Sequence, residues 1–191
     1  MMTRNGAPEQ QPNAQKLAEL IVYVANRSEV DVHFGATKLN KILFYSDFTA
    51  YERLGRSISG YEYIRLNFGP CPRGADGLRR VLESQDRIVM KRLPHFNQVQ
   101  HRIIAMDEAN LSLFTADEIA IVDEVLDAVK DLNATDVSNA SHRFLGWKLA
   151  APCEAIPYAV TLVDAEPDLT EDQTAFAVAQ AIRIAKEAVP A

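Results

Sequence analysis

The sequence predicts an α+β fold in which helix predominates: about six helices with a small antiparallel β-sheet or hairpin. Three observations carry that expectation. Apolar residues recur at three- and four-residue intervals along most of the chain, which is the spacing of amphipathic helices. Two S/T-x-x-E/Q boxes, Thr115 with Glu118 and Thr170 with Gln173, mark helix starts. Two β-type runs, residues 87–93 and 99–105, flank a proline-containing turn over 94–98 and read as an antiparallel pair.

Taken in order, residues 1–12 form a flexible tail by composition, with Gly6, Pro8, Pro12 and a run of glutamine. Residues 13–191 read as a single domain that ends in a C-terminal helix. Asn13 caps a first helix marked by Leu17, Leu20, Ile21 and Val24 and ending near Arg27. Thr37 is placed to cap a second, in which Leu39, Ile42, Leu43, Tyr45 or Ser46, Phe48, Tyr51 and Leu54 make one apolar stripe, and Gly55 stops it. Residues 56–60 form a polar connection, 61–67 alternate as a strand does, and Phe68-Gly69-Pro70 is a turn that continues neither element.

A short helix over 73–85 carries Leu78, Val81 and Leu82 and is weakened by Gly74 and Gly77. After the hairpin, Thr115 opens a helix whose buried stripe is Ile121, Val122, Val125, Leu126 and Val129, with Asp117, Asp123, Glu124 and Asp127 on its wet side. Thr135 is positioned to cap a helix over 136–145. Residues 146–169, with Pro152, Pro157 and Pro167, read as irregular, and Phe176, Val178, Ile182 and Ala185 mark the last helix. Helices followed by a hairpin also give a loosely winged-helix-like order.

Composition narrows the function. The chain is 48% hydrophobic and 24% charged, as an ordinary globular protein is. No apolar run approaches the roughly 20 residues that span a bilayer, and the start lacks the apolar core of a signal peptide. The expected location is the cytoplasm, with no membrane partner. Cys71 and Cys153 have neither metal-site nor disulfide spacing and are expected to be free thiols. There is no GxSxG, HExxH, P-loop or GxGxxG, so no enzyme and no cofactor are expected. His95 and His101 flank the hairpin turn, but without a neighbouring carboxylate or thiolate they read as solvated side chains and not a metal site. Asp47 lies in the apolar part of its helix and needs a partner there, for which Lys41, Arg56, Arg65 and His142 are the candidates.

Charge is unevenly divided. Residues 65–106 carry eight basic and three acidic side chains, whereas 107–191 carry five and sixteen. Such a division can steer two partners, or let one part of the chain dock on another, and the intramolecular reading is the simpler one. Arg73, Arg79, Arg80, Arg87, Lys91, Arg92 and Arg102 lie on the short helix and the hairpin, where a winged-helix-like regulator would meet phosphates. The pI near 5.2 argues against a polyanion. A protein partner suits the same surface better, and Arg79, Arg80, Arg87, Lys91, Arg92 and Phe96 are its candidate contacts.

Two separated groups of residues carry a resemblance. Leu39, Lys41, Leu43, Phe44, Tyr45 and Asp47, then Gly55, the run from Arg56 to Gly60, Tyr63 and Phe68-Gly69-Pro70, resemble the Panacea domain, the SocA-like antitoxin family that includes GepA-type phage-associated proteins. Ser141-His142, Trp147-Lys148 and Ile156-Pro157-Tyr158 resemble that family's C-terminal signature. The chain departs from the pattern at Ser59, where a Thr is common, and in the glycine-rich Cys71-Pro72-Arg73-Gly74. The resemblance implies a toxin-antitoxin role without enzyme activity: direct binding of a cognate toxin encoded alongside, and for some members an adaptor role that brings in a protease or chaperone. Beside it, the residues themselves suggest that Trp147 plugs a gap between helices and that His142 bonds to Asp47 or Tyr45 across the core. Partner-specific contacts are expected in the hairpin, in residues 56–60 and in the tail.

Overall fold

Two helices, α1 (Ala14–Arg27) and α2 (Ala36–Leu54), form the centre of the computed structural model, which describes residues 10–95 and 98–164. Phe96 and the expected helix from Thr170 lie outside the described residues. Asn13 caps α1 by accepting the Lys16 N–H at 2.9 Å, and Leu17, Leu20, Ile21, Val22 and Val24 are fully buried. Helix α2 is buried on more than a stripe: beside Leu39, Ile42, Leu43, Phe44 and Phe48 it hides Lys38, Lys41, Ser46 and Asp47. It starts at Ala36 with Gly35 as its cap, so Thr37 sits inside the first turn instead of capping it. Gly35 is small because the hairpin packs there; a Cβ would lie 3.1 Å from Gln100 Cγ and from the His101 carbonyl oxygen. Gly55 ends α2 in the left-handed region, φ 72°.

Among the described residues five strands follow in two sheets: β1 (Tyr63–Leu66), β2 (Gly69–Pro72), β3 (Ile88–His95), β4 (Gln98–Ala105) and β5 (Ala155–Ile156). The first sheet is antiparallel in the order β2-β1-β5, and β3-β4 forms the second. The turn between β1 and β2 is thus only Asn67-Phe68, and Gly69 and Pro70 belong to a strand, contrary to the sequence expectation. Proline is tolerated because β2 is an edge strand paired only with β1, Pro70 facing Arg65 and Pro72 facing Tyr63. The hairpin forms as expected, each strand longer by one residue: β3 starts one later and ends two later, and β4 starts one earlier. It takes no earlier strand into its sheet, which sets it apart from a winged helix despite the linear order. Its β4 side is covered by the α1–α2 loop, since Gln100 Nε2 donates to the Val32 carbonyl at 3.0 Å and Arg102 donates to the carbonyls of Asp31 and Glu29. On the β3 side Glu83 accepts the Met90 N–H at 3.0 Å, and Pro94, on the same edge by alternation, has no N–H.

The remaining helices are α3 (Ala75–Ser84), α4 (Ala116–Val129), α5 (Ala134–Ser141), α6 (Leu145–Leu149) and α7 (Thr161–Asp164). The capping box at α4 is complete in both directions, Thr115 Oγ1 accepting from the Glu118 N–H and Glu118 from the Thr115 N–H. Asn133, not Thr135, caps α5, its side chain accepting from the N–H groups of Thr135 and Asp136. Helix α5 ends at Ser141, short of the expected 145. The segment expected to be irregular holds α6, β5, a 3-10 turn at Tyr158–Val160 and α7. Gln10 packs here as well, its side chain donating to the Ser57 carbonyl and accepting from the Ser57 N–H.

Lys38 ties three of these pieces together. It is 1% exposed; its Nζ lies 2.7 Å from Asp31 Oδ2 and donates to the Leu132 and Lys130 carbonyls at 2.6 and 3.2 Å. A cation at the C-terminal end of α4 suits both the free carbonyls and the helix dipole. Among the described residues no helix is long and apolar enough to cross a membrane.

Candidate partner-binding surface

The two signature groups meet in one buried centre. Asp47, wholly buried on α2, accepts the Ser59 N–H at 2.7 Å, the Ser59 hydroxyl at 2.5 Å and the Tyr63 hydroxyl at 2.8 Å. None of the four expected basic partners reaches it. Three neutral donors satisfy the carboxylate instead, and they hold residues 57–60 inside the protein, so this stretch is not the exposed loop the sequence suggested. Burial raises the carboxyl pKa, opposed by the bonds from Ser59 and then Tyr63. Tyr63 is pushed well above the ordinary phenol by burial and then by the Asp47 charge.

Lys41 serves β2. Its Nζ donates to the Pro70 carbonyl at 2.9 Å, and burial lowers its pKa to about 8. Gly69 lies directly against it at φ 99°, where a Cβ would sit 2.3 Å from Ser141 Oγ and 2.4 Å from Lys41 Cε. Ser141, from the second signature, donates to the Ser138 carbonyl at 2.7 Å. Leu39 and Leu43 are plain core. Tyr45 is half-buried, and burial raises its pKa to about 12. Gly60 has φ 71° and packs on the Gln11 backbone. Pro157 precedes the 3-10 turn in which Tyr158 stacks on Tyr51, centroids 5.4 Å apart, and donates to the Tyr61 carbonyl at 2.5 Å.

His142 and Trp147 do not enter that centre as expected. The imidazole stacks on the indole with centroids 4.0 Å apart and planes at 16°, and its Nε2 is buried without a partner. Its pKa is lowered by burial, then by the charges of Lys41 and Arg65. Trp147 is half-buried, donates from Nε1 to the Leu66 carbonyl at 3.1 Å and lies under the Arg65 guanidinium at 4.3 Å. It braces the β1–β2 turn from outside and does not plug the helices from within.

Of the expected partner contacts, some are spent inside the protein. Arg79 is 4% exposed, donates to Asn40 Oδ1 at 2.9 Å and pairs with Asp76. Arg87 forks onto Glu19 at 2.6 and 3.0 Å and reaches Asp107 at 3.2 Å, a pairing that holds the Glu19 carboxyl below its usual range. Arg73 pairs with Glu62, and Arg102 binds loop carbonyls. Arg80, Lys91 and Arg92 remain at the surface. The strand register puts His101 opposite Arg92 and His95 opposite Gln98, three rungs apart, so the two histidines do not face each other.

Two exposed apolar groups stand out, one of them at Phe68 of the Phe68-Gly69-Pro70 motif. Val30 and Val32 on the α1–α2 loop are 91% and 66% exposed, and the Val32 carbonyl accepts from Gln100, which faces Leu93 on the hairpin, where Leu93 and Val99 are exposed too. At the β1–β2 turn, Phe68 is 72% exposed beside Leu66. A cavity of about 250 Å³ also opens next to α7, lined by Phe44, Phe48 and Phe144 with Glu52 among its walls.

A family model described as "Antitoxin SocA-like, Panacea domain" matches residues 39–148, more than half of the chain. The match begins in α2 and ends one residue past Trp147, so it covers the buried centre and the turn that Trp147 braces. No curated protein and no solved structure matches the chain.

Proposed function

The chain belongs to the SocA-like antitoxin family of Panacea domains, and on that premise we propose that it neutralises a toxin encoded beside it by binding that protein directly, without catalysis, in the cytoplasm. The family match over residues 39–148 carries this reading. The geometry supports it. Two charged residues of the first signature are turned inward and satisfied there, Asp47 by Ser59 and Tyr63 and Lys41 by the Pro70 carbonyl, which makes them supports of a platform. What such a platform offers a partner is its surface, with Arg80, Lys91, Arg92 and the two apolar groups on it. A protein partner buries apolar and arginine side chains together, whereas nucleic acid would need the cations that Arg79 and Arg87 have spent internally.

Co-expression of the chain with the product of the adjacent gene tests the proposal. Rescue of growth together with co-purification supports it; no toxicity from that product, or rescue without a complex, overturns it. The adaptor form of the role has its own readout, a toxin half-life that shortens when the chain is present and recovers in a protease-deficient strain. A salt-sensitive gel shift abolished by neutralising Arg80, Lys91 and Arg92 would favour the regulator reading instead.

A further inference from the structure

We propose that Phe68, at the tip of the β1–β2 turn, is the anchor residue for the partner, entering an apolar cleft with an acidic rim on the toxin; this deepens the reading above and rests on it. The ring is 72% exposed, with Leu66 beside it at 37%. The backbone that carries it is held from every side. Ser138 Oγ donates to the Phe68 carbonyl at 2.8 Å, Trp147 Nε1 to the Leu66 carbonyl at 3.1 Å and Lys41 Nζ to the Pro70 carbonyl at 2.9 Å. Gly69 sits against Ser141 and Lys41 with no room for a Cβ. β1 is paired on both sides, to β2 and to β5.

This is more support than an ornamental turn requires. Three of the five residues from Leu66 to Pro70 have their carbonyls held by side chains of α2, α5 and α6, and the Phe68 ring is the part that contributes nothing to the core. An aromatic side chain held out on a rigid backbone loses little further entropy on binding, which is the physical profile of an interface anchor.

Charge selects the occupant. Arg65 lies over Trp147, and Arg143 and Lys148 flank that indole in the sequence. None of the three makes an ion pair among the described residues. The carboxylate of Glu154, also on this side of the chain, accepts the Ala151 N–H. Arg65 over Trp147, whose indole donates to the Leu66 carbonyl, puts a cation beside the apolar tip, which is complementary to an apolar cleft rimmed by carboxylates.

The experiment measures affinity of the full-length chain for the purified adjacent-gene product, with thermal melting of each variant alongside. Phe68→Ala is expected to melt like wild type and to weaken binding by about 30-fold or more. Lys148→Glu with Arg143→Glu is expected to slow association about tenfold, an effect that shrinks in high salt. Leu111→Ala, on a distant exposed turn, serves as the control expected to change neither. If wild type binds but Phe68→Ala stays within threefold of it, or if the loss falls on Val32→Ser and Val99→Ser instead, the anchor is overturned while the antitoxin reading stands. If wild type does not bind, both fall. If Phe68→Ala melts early, Phe68→Gln, which keeps the bulk but not the apolar face, must still lose binding, or the anchor fails.

Discussion

Asp47 shows what a single residue can and cannot reveal. Its place in an apolar helix segment says that it needs a partner, and that much is legible. A sequence suggests opposite charge first; the actual partners are a hydroxyl and an N–H of Ser59 and the hydroxyl of Tyr63, which leave no mark as charge patterns do. Asp47→Ala strands three buried donors, each costing about 1–3 kcal/mol, so a loss of about 3 kcal/mol or more is expected in urea unfolding, and Asp47→Asn should lose clearly less. Because burial raises the folded pKa above 3.8, the carboxyl contributes a cost that appears as pH rises through 3.8 and is complete above the folded value. Asp47→Asn should therefore flatten the stability–pH profile on the acid side. Lys41 works in the opposite range. Its folded pKa of about 8 lies below the ordinary 10.5, so its cost is full below pH 8 and fades as pH rises to 10.5. Wild type minus Lys41→Met should gain stability across that interval, with the raised tyrosines cancelling in the difference.

At the scale of elements, α1, α4 and the hairpin were legible because their signals are local: an Asn cap, a complete capping box, two β-type runs around a turn. The β1–β2 turn was not. Gly-Pro reads as a break, and only the presence of a neighbour on one side of β2 alone lets proline continue the strand. The short elements α6, β5 and α7 were illegible for a related reason, since five residues or fewer carry no period to read. Trp147 was recognised as structural, but which side of the turn it braces depends on where β1 ends. Gly69 turns this into a prediction. At φ 99°, with Ser141 Oγ and Lys41 Cε where a Cβ would go, Gly69→Ala combines backbone strain with overpacking and should cost about 2–4 kcal/mol in denaturant unfolding. Gly74→Ala, in open space at φ 79°, has the strain alone and should cost about half as much.

For the whole molecule, part of the charge division seen in the sequence is answered within the chain among the described residues. The acids of α4 meet bases of α1, α2 and the loop after it: Glu118 with Lys16 and Arg56, Asp123 with Arg27, and Glu124 with Arg53. These bases lie in residues 16–56 and not in 65–106; among the described residues the ion pair from 65–106 to 107–191 is that of Arg87 with Asp107. Linear charge counts register an imbalance but not which face of a helix turns inward. Glu118 is the buried member, 1% exposed, and Glu118→Gln should cost about 2–3 kcal/mol by leaving Lys16 unpaired, measured by chemical denaturation. The exposed pairs should matter little, so 1 M salt alone should barely lower wild-type stability. A last consequence concerns the free edge of the hairpin. With the Met90 N–H taken by Glu83 and Pro94 lacking one, Arg92 is left as the lone open donor between them. A guest strand needs a ladder of such donors, so this edge is a poor template for another chain. Recognition there is favoured through side chains, which can be exchanged one at a time while the backbone beneath them stays as it is.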